Sequence, residues 1–316
     1  MLHKILLGAL LVFQVPILAP FVEEADTLIT ATGVIHGSLH LPSGNGPFPI
    51  VLIIAGSGPT DRDGNSAMLA GKNNSLKLLA QSLAAANIAS LRFDKRGIGA
   101  SAAAGPKEAD LRFENYVDDA AAWVEQLRKD KRFSTVTIIG HSEGALIGAI
   151  AVGRTHPNAF ISVSGLGRSA GLALREQLNG KLPAQLFQAN EKILRELEAG
   201  RTTEDVPTAL QSLYRASVQP YLISWFKYKP VEIVASIKQP ILICQGTTDI
   251  QVGVEEAEAL KNAAPAAKLV IIQGMNHVLK SVSTDPLQQT ASYSDPALPI
   301  NPELMKSIIE FVPRAK

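Results

Sequence analysis

The sequence predicts an α/β fold: a mostly parallel central sheet flanked by helices, with a helical cap inserted late in the chain. Three observations carry this expectation. After residue 30, short apolar runs alternate with helical patterns. Seven of these runs, at 34–41, 50–55, 88–93, 136–139, 160–164, 241–245 and 269–273, read as strands. Only residues 169–229 break the alternation, with helical stripes, polar breaks and no convincing strand. The expected division is therefore a core of 26–168 and 230–316, a helical cap of 169–229, and a leader or anchor over 1–25.

Between the strands, Leu76, Leu79, Ala80 and Leu83 repeat at helical spacing, as do Val117, Ala120, Val124 and Leu127, which makes both stripes core-facing. The 316 residues are 46% hydrophobic and 19% charged, enough apolar surface for a large core and too much for disorder. Thirty basic residues against 29 acidic ones leave a net charge of +1 with no long block of either sign, so neither nucleic acid nor an acidic membrane surface is an expected partner. The single cysteine, Cys244, excludes an internal disulfide and sits in an apolar run, as a buried thiol would. The sequence carries no signature of oligomeric state.

The first residues follow another pattern. His3 and Lys4 precede the apolar run 5–13, and Glu23, Glu24 and Asp26 follow, the layout of a secretory signal peptide. Export to a periplasmic or secreted location is the expectation. Ala19 offers a cleavage site that Pro20 hinders, and an uncleaved membrane anchor over 5–22 is the alternative, weakened by Gln14, Pro16 and Pro20.

The stretch Ile138-Ile139-Gly140-His141-Ser142-Glu143-Gly144 runs from an apolar strand into an alanine- and leucine-rich helix, the context of a G-x-S-x-G elbow. A serine on that turn has an exposed hydroxyl, which makes Ser142 the candidate nucleophile. The amide of Glu143, at the helix start, is a candidate oxyanion donor. A serine hydroxyl needs a base, and the base needs an orienting carboxylate. Asp249 lies just past the strand at 241–245 and His277 just past the strand at 269–273. In a parallel sheet the C-terminal strand ends share one edge, so Ser142, Asp249 and His277 are expected to converge there.

Rival residues fit less well. His141 is expected to pack behind the elbow, His156 to cap a helix, His36 and His40 alternate on an early strand, and His3 belongs to the leader. The strand at 160–164 ends in Gly165-Leu166-Gly167 without a carboxylate. A second oxyanion donor is expected after the early strand 50–55, where Gly56-Ser57-Gly58-Pro59 offers the amide of Ser57 first and that of Gly58 second. Asp61, Asp63 and Asn65 imitate the start of a calcium loop, but Ser66 and Lys72 stand where glycine and glutamate are required, and no metal is expected. No cofactor is implied.

Taken together, these residues resemble a bacterial carboxylesterase of the α/β-hydrolase family, close to the cap-bearing serine hydrolases grouped with serine aminopeptidases. The resemblance runs from about Thr30 to Val312 and rests on the 56–59 loop, Asp94-Lys95-Arg96-Gly97-Ile98-Gly99-Ala100-Ser101, the 140–144 elbow, Asp249 and His277. It implies hydrolysis of a small-molecule ester by a Ser142-His277-Asp249 triad, with peptidase, thioesterase and non-catalytic ligand-binding readings as alternatives. Tyr214, Tyr221, Trp225 and Phe226 in the cap are the expected substrate-binding aromatics. Two departures stand out: Ala55 replaces the histidine many relatives carry before the oxyanion loop, and Glu143 replaces a residue that is often neutral.

Overall fold

The computed structural model describes residues 21–314, so the leader reading for residues 1–20 lies outside the described residues. Residues 21–25, assigned to the leader by sequence, open the first strand instead. The strands are β1 (Phe21–Thr30), β2 (Gly33–Pro42), β3 (Phe48–Ile54), β4 (Ala89–Phe93), β5 (Phe133–His141), β6 (Ala159–Val163), β7 (Ile241–Gly246) and β8 (Lys268–Ile272). They form one sheet in the order β1-β2-β4-β3-β5-β6-β7-β8. β1 and β2 are antiparallel to their neighbours, and the six strands from β3 to β8 run parallel.

Burial explains why the sequence signal differs between these strands. β3, β4, β6 and β7 are covered on both faces and read as largely apolar runs, continuous in β3 and interrupted by the buried Ser90 and Arg92 in β4 and Ser162 in β6. β1 is an exposed edge with one buried residue, Leu28, and therefore has no apolar run to recognise.

Two helices cover one face, α1 (Ser75–Ala85) and α11 (Pro302–Phe311), and they bury Leu76, Leu79, Leu83, Leu304 and Ile308 against the sheet. The other face carries α2 (Phe113–Lys129), α3 (Glu143–Thr155), α8 (Pro230–Ser236) and α9 (Val254–Ala263). Its centre is Trp123, fully buried beside Phe93 at a ring separation of 5.9 Å. Between β6 and β7 the chain forms α4 (Ala170–Leu178), α5 (Ala184–Glu198), α6 (Gln211–Tyr214) and α7 (Gln219–Phe226). α7 packs against α2, and the Phe113 amide donates to Ser224 Oγ at 2.8 Å. A last helix, α10 (Pro286–Ser292), follows β8. Among the described residues no helix is long and apolar enough to cross a membrane.

Replacing Trp123 with alanine removes the largest buried side chain of this face. The expected cost is about 3–5 kcal/mol, read as a lowered urea midpoint with an unchanged slope.

Candidate active site

Ser142 sits between β5 and α3 with φ 56° and ψ −121°, a left-handed conformation that costs a non-glycine residue on the order of 1–3 kcal/mol. The packing around it enforces the turn. A Cβ on Gly140 would lie 2.1 Å from the Gly144 carbonyl oxygen, and one on Gly144 would lie 2.3 Å from that of Ile54. Only glycines let strand, turn and helix close this tightly. The Ser142 amide is anchored on the Val163 carbonyl at 3.0 Å, and the half-buried side chain projects at the C-terminal edge of the sheet. The Glu143 amide is the first of α3, where helix geometry supplies no acceptor.

Asp249 and His277 come from the loops after β7 and β8, which are pressed together because Gly246 lies against the Met275 backbone. His277 Nδ1 is 2.9 Å from Asp249 Oδ2 and 3.1 Å from Oδ1. The other partners of the carboxylate are the amides of Gln251 and Val252, both at 2.9 Å on Oδ1, and Gln245 Nε2 at 3.2 Å on Oδ2. Burial alone would raise the Asp249 carboxyl, but the His277 ring and these amides outweigh it and bring the group down to about 2. Ser142, His277 and Ser57 line one cleft of about 160 Å³.

His141 supports this arrangement from behind. Its Nε2 lies 2.8 Å from the His277 carbonyl oxygen, which can only accept, so that nitrogen carries the proton. Burial first, and the neighbouring His277 ring 4.8 Å away second, push its pKa down to about 3 and keep it neutral.

The 56–60 loop reaches the elbow: a Cβ on Gly56 would stand 3.1 Å from Ser142 Cβ. Ser57 and Gly58 are exposed, Ser57 on the cleft and Gly58 on a second cavity of about 350 Å³ alongside it. Glu143 does not extend into solvent. Its carboxylate takes Lys95 Nζ at 2.8 Å on one oxygen and the Tyr221 hydroxyl on the other. Lys95 belongs to the Asp94–Ser101 segment, which the sequence marks only as one carrier of the family resemblance.

Of the four aromatics expected to bind substrate, Tyr221 alone lines a cavity beside the elbow. Tyr214 is fully buried and donates to Asn190 Oδ1 at 2.6 Å, inside the helical segment. Trp225 stacks on Phe113 at 5.9 Å, and Phe226 borders a separate hollow with Gly167 and Arg168. Trp225 thereby fastens α7 to α2, while Tyr214 ties α6 to α5. Tyr116 and Leu111, from the body of the fold, line the second cavity in their place. The calcium-like loop is a set of local turns: Asp61 Oδ1 accepts the amides of Asp63 and Asn65 at 2.9 Å, and Asp63 pairs with Arg92 at 3.0 Å.

The sheet order, the elbow and the converging loops have the arrangement of the α/β-hydrolase fold. In sequence the chain is similar to bacterial carboxylesterases of the serine hydrolase kind. The family profile for serine aminopeptidase, S33, matches residues 70–212, which hold Ser142 but neither Asp249 nor His277. Esterase EstD of Thermotoga maritima is 26% identical over 272 residues, covering 82% of this chain and 60% of EstD. The chain thus spans about 60% of the length of that curated relative. Among solved structures, Est1E of Butyrivibrio proteoclasticus with ferulic acid bound superposes with a TM-score of 0.60 at 21% identity, over 90% of this chain and 98% of that one. A thermophilic esterase from Thermogutta terrifontis gives 0.54 at 19% identity, over 91% and 97%.

The depressed Asp249 carboxyl ties stability to pH. Its folded pKa lies below its ordinary value, so the stabilisation is complete above about pH 4 and is lost as pH falls toward 2. The urea stability of wild type should fall relative to Asp249→Asn by roughly 2 kcal/mol across that interval.

Proposed function

We propose that the chain is a carboxylesterase-type serine hydrolase acting on small-molecule esters without a cofactor. One observation carries this reading: Ser142, held in a left-handed turn, shares a cleft with an imidazole whose Nδ1 is bound by a buried carboxylate. In the proposed reaction His277 Nε2 takes the Ser142 proton as Oγ attacks the ester carbonyl. The resulting oxyanion is met by the amides of Ser57 and Glu143, with Gly58 in reserve. Collapse expels the alcohol with the proton from His277, leaving an acyl-serine. Water then gives a proton to His277, attacks the acyl carbon and releases the acid as Ser142 recovers its hydrogen. Asp249 fixes the tautomer and balances the charged ring. The esterase names of the curated relative and of the structural neighbours support this order of preference over a peptidase or thioesterase.

Ser142→Ala should lower kcat by about 10⁶, and Asp249→Asn by about 10⁴, on p-nitrophenyl esters. A fluorophosphonate should leave an adduct on Ser142; folded protein without one points to a ligand-binding scaffold. Cleavage of aminoacyl arylamides or acyl thioesters in preference to the esters would move the assignment to those classes. We propose in addition that the segment preceding β1 directs export, from the basic, apolar and acidic layout at the start of the sequence. Fractionation of cells expressing the full chain should then find it outside the cytoplasm, and recovery in the cytosol would overturn this.

A further inference from the structure

We propose that Lys95 is a positioning residue that aligns the oxyanion hole, orienting both of its halves through one buried ammonium. The proposal rests on the ester-cleaving reading above and adds to it a residue outside the triad and the hole.

Lys95 stands just past β4 and is 1% exposed. Its Nζ lies 2.8 Å from Glu143 Oε2, 2.6 Å from the Gly56 carbonyl oxygen and 4.8 Å from the centre of the Tyr116 ring. A buried ammonium requires a counter-charge, and Glu143 supplies it. Charge balance does not require the Gly56 bond, and that bond has a directional consequence. The carbonyl of Gly56 and the N–H of Ser57 belong to one trans peptide plane and point in opposite directions. Holding the carbonyl on Lys95 therefore turns the Ser57 amide away from Lys95. Gly56 itself abuts Ser142, so the direction is set relative to the nucleophile.

The same ammonium holds the side chain of Glu143, whose own amide opens α3. One atom thus bridges the two segments that carry the proposed donors. Ala55 leaves no side chain to brace the loop from within, and the brace comes across from the end of β4 instead. Tyr221 closes the arrangement from the helical segment by donating to the other oxygen of Glu143.

The rival role for Lys95 is simple neutralisation of Glu143, and a charge-balanced pair of substitutions separates the two. Lys95→Met should lower kcat about 100-fold, in the range of losing one oxyanion donor, with KM within about threefold of wild type. Affinity for an aryl trifluoromethyl ketone, whose hemiketal oxygen occupies the hole, should weaken by a similar factor. The double variant Lys95→Met/Glu143→Gln removes the stranded carboxylate; its Tm should recover toward wild type while kcat stays about 100-fold down. Recovery of kcat together with Tm, or a loss expressed in KM alone, overturns the proposal and leaves the esterase reading standing. A wild-type protein that neither hydrolyses esters nor forms the Ser142 adduct removes both.

Discussion

At the crossing of β5 and α3, backbone meets backbone with no room for a side chain: the positions of Gly140 and Gly144 would place a Cβ within 2.3 Å of a carbonyl oxygen. That contact decides where Ser142 stands. With the strand end and helix start forced together, the residue between them turns left-handed and its hydroxyl leaves the sheet edge. Strain at one residue is tolerated because the flanking elements are buried almost throughout. The other functional groups are arranged around this fixed point, as loops whose own backbones are pinned in turn.

The segment after β4 shows how that pinning works. Three consecutive charged side chains go three ways. Asp94 takes the Arg62 amide at 2.7 Å, its guanidinium at 2.8 Å and the Ala100 amide at 2.9 Å, closing the turn that follows. Lys95 goes to the Gly56 carbonyl and the elbow. Arg96 pairs with buried Asp119 on α2, its Nε 2.7 Å from Oδ2. Gly99, at φ 50°, passes so close to the Asp94 carboxylate that a Cβ there would lie 2.6 Å from an oxygen. Buried ions of this kind add little net stability, but each one removed leaves its partner stranded, so they specify a single arrangement of loops.

Much of this was readable in the sequence, and the reasons are local. Ser142, Asp249 and His277 each follow an apolar run that ends in a glycine-containing turn, and strand ends in a parallel sheet share an edge whatever lies between them. The stripes on α1 and α2 were legible because burial on one face imposes a helical period. β1 was not, because an exposed antiparallel edge needs only Leu28 inside and its first residues continue an acidic stretch. The aromatics of 169–229 were less legible, because their clustering in the sequence does not say which face a short, irregular segment turns inward. Trp225 and Tyr214 went to packing, and only Tyr221 turned toward the elbow. The Lys95–Glu143 pair joins residues 48 positions apart, and no periodicity connects them.

The edge strand has one more implication. Phe21 pairs with Pro42, and β2 runs antiparallel to β4, so β1 begins at the rim where the parallel strands start. The cleft opens at the rim where they end. The chain therefore enters the fold at Phe21 on the rim opposite the cleft, with the length of the strands between the two.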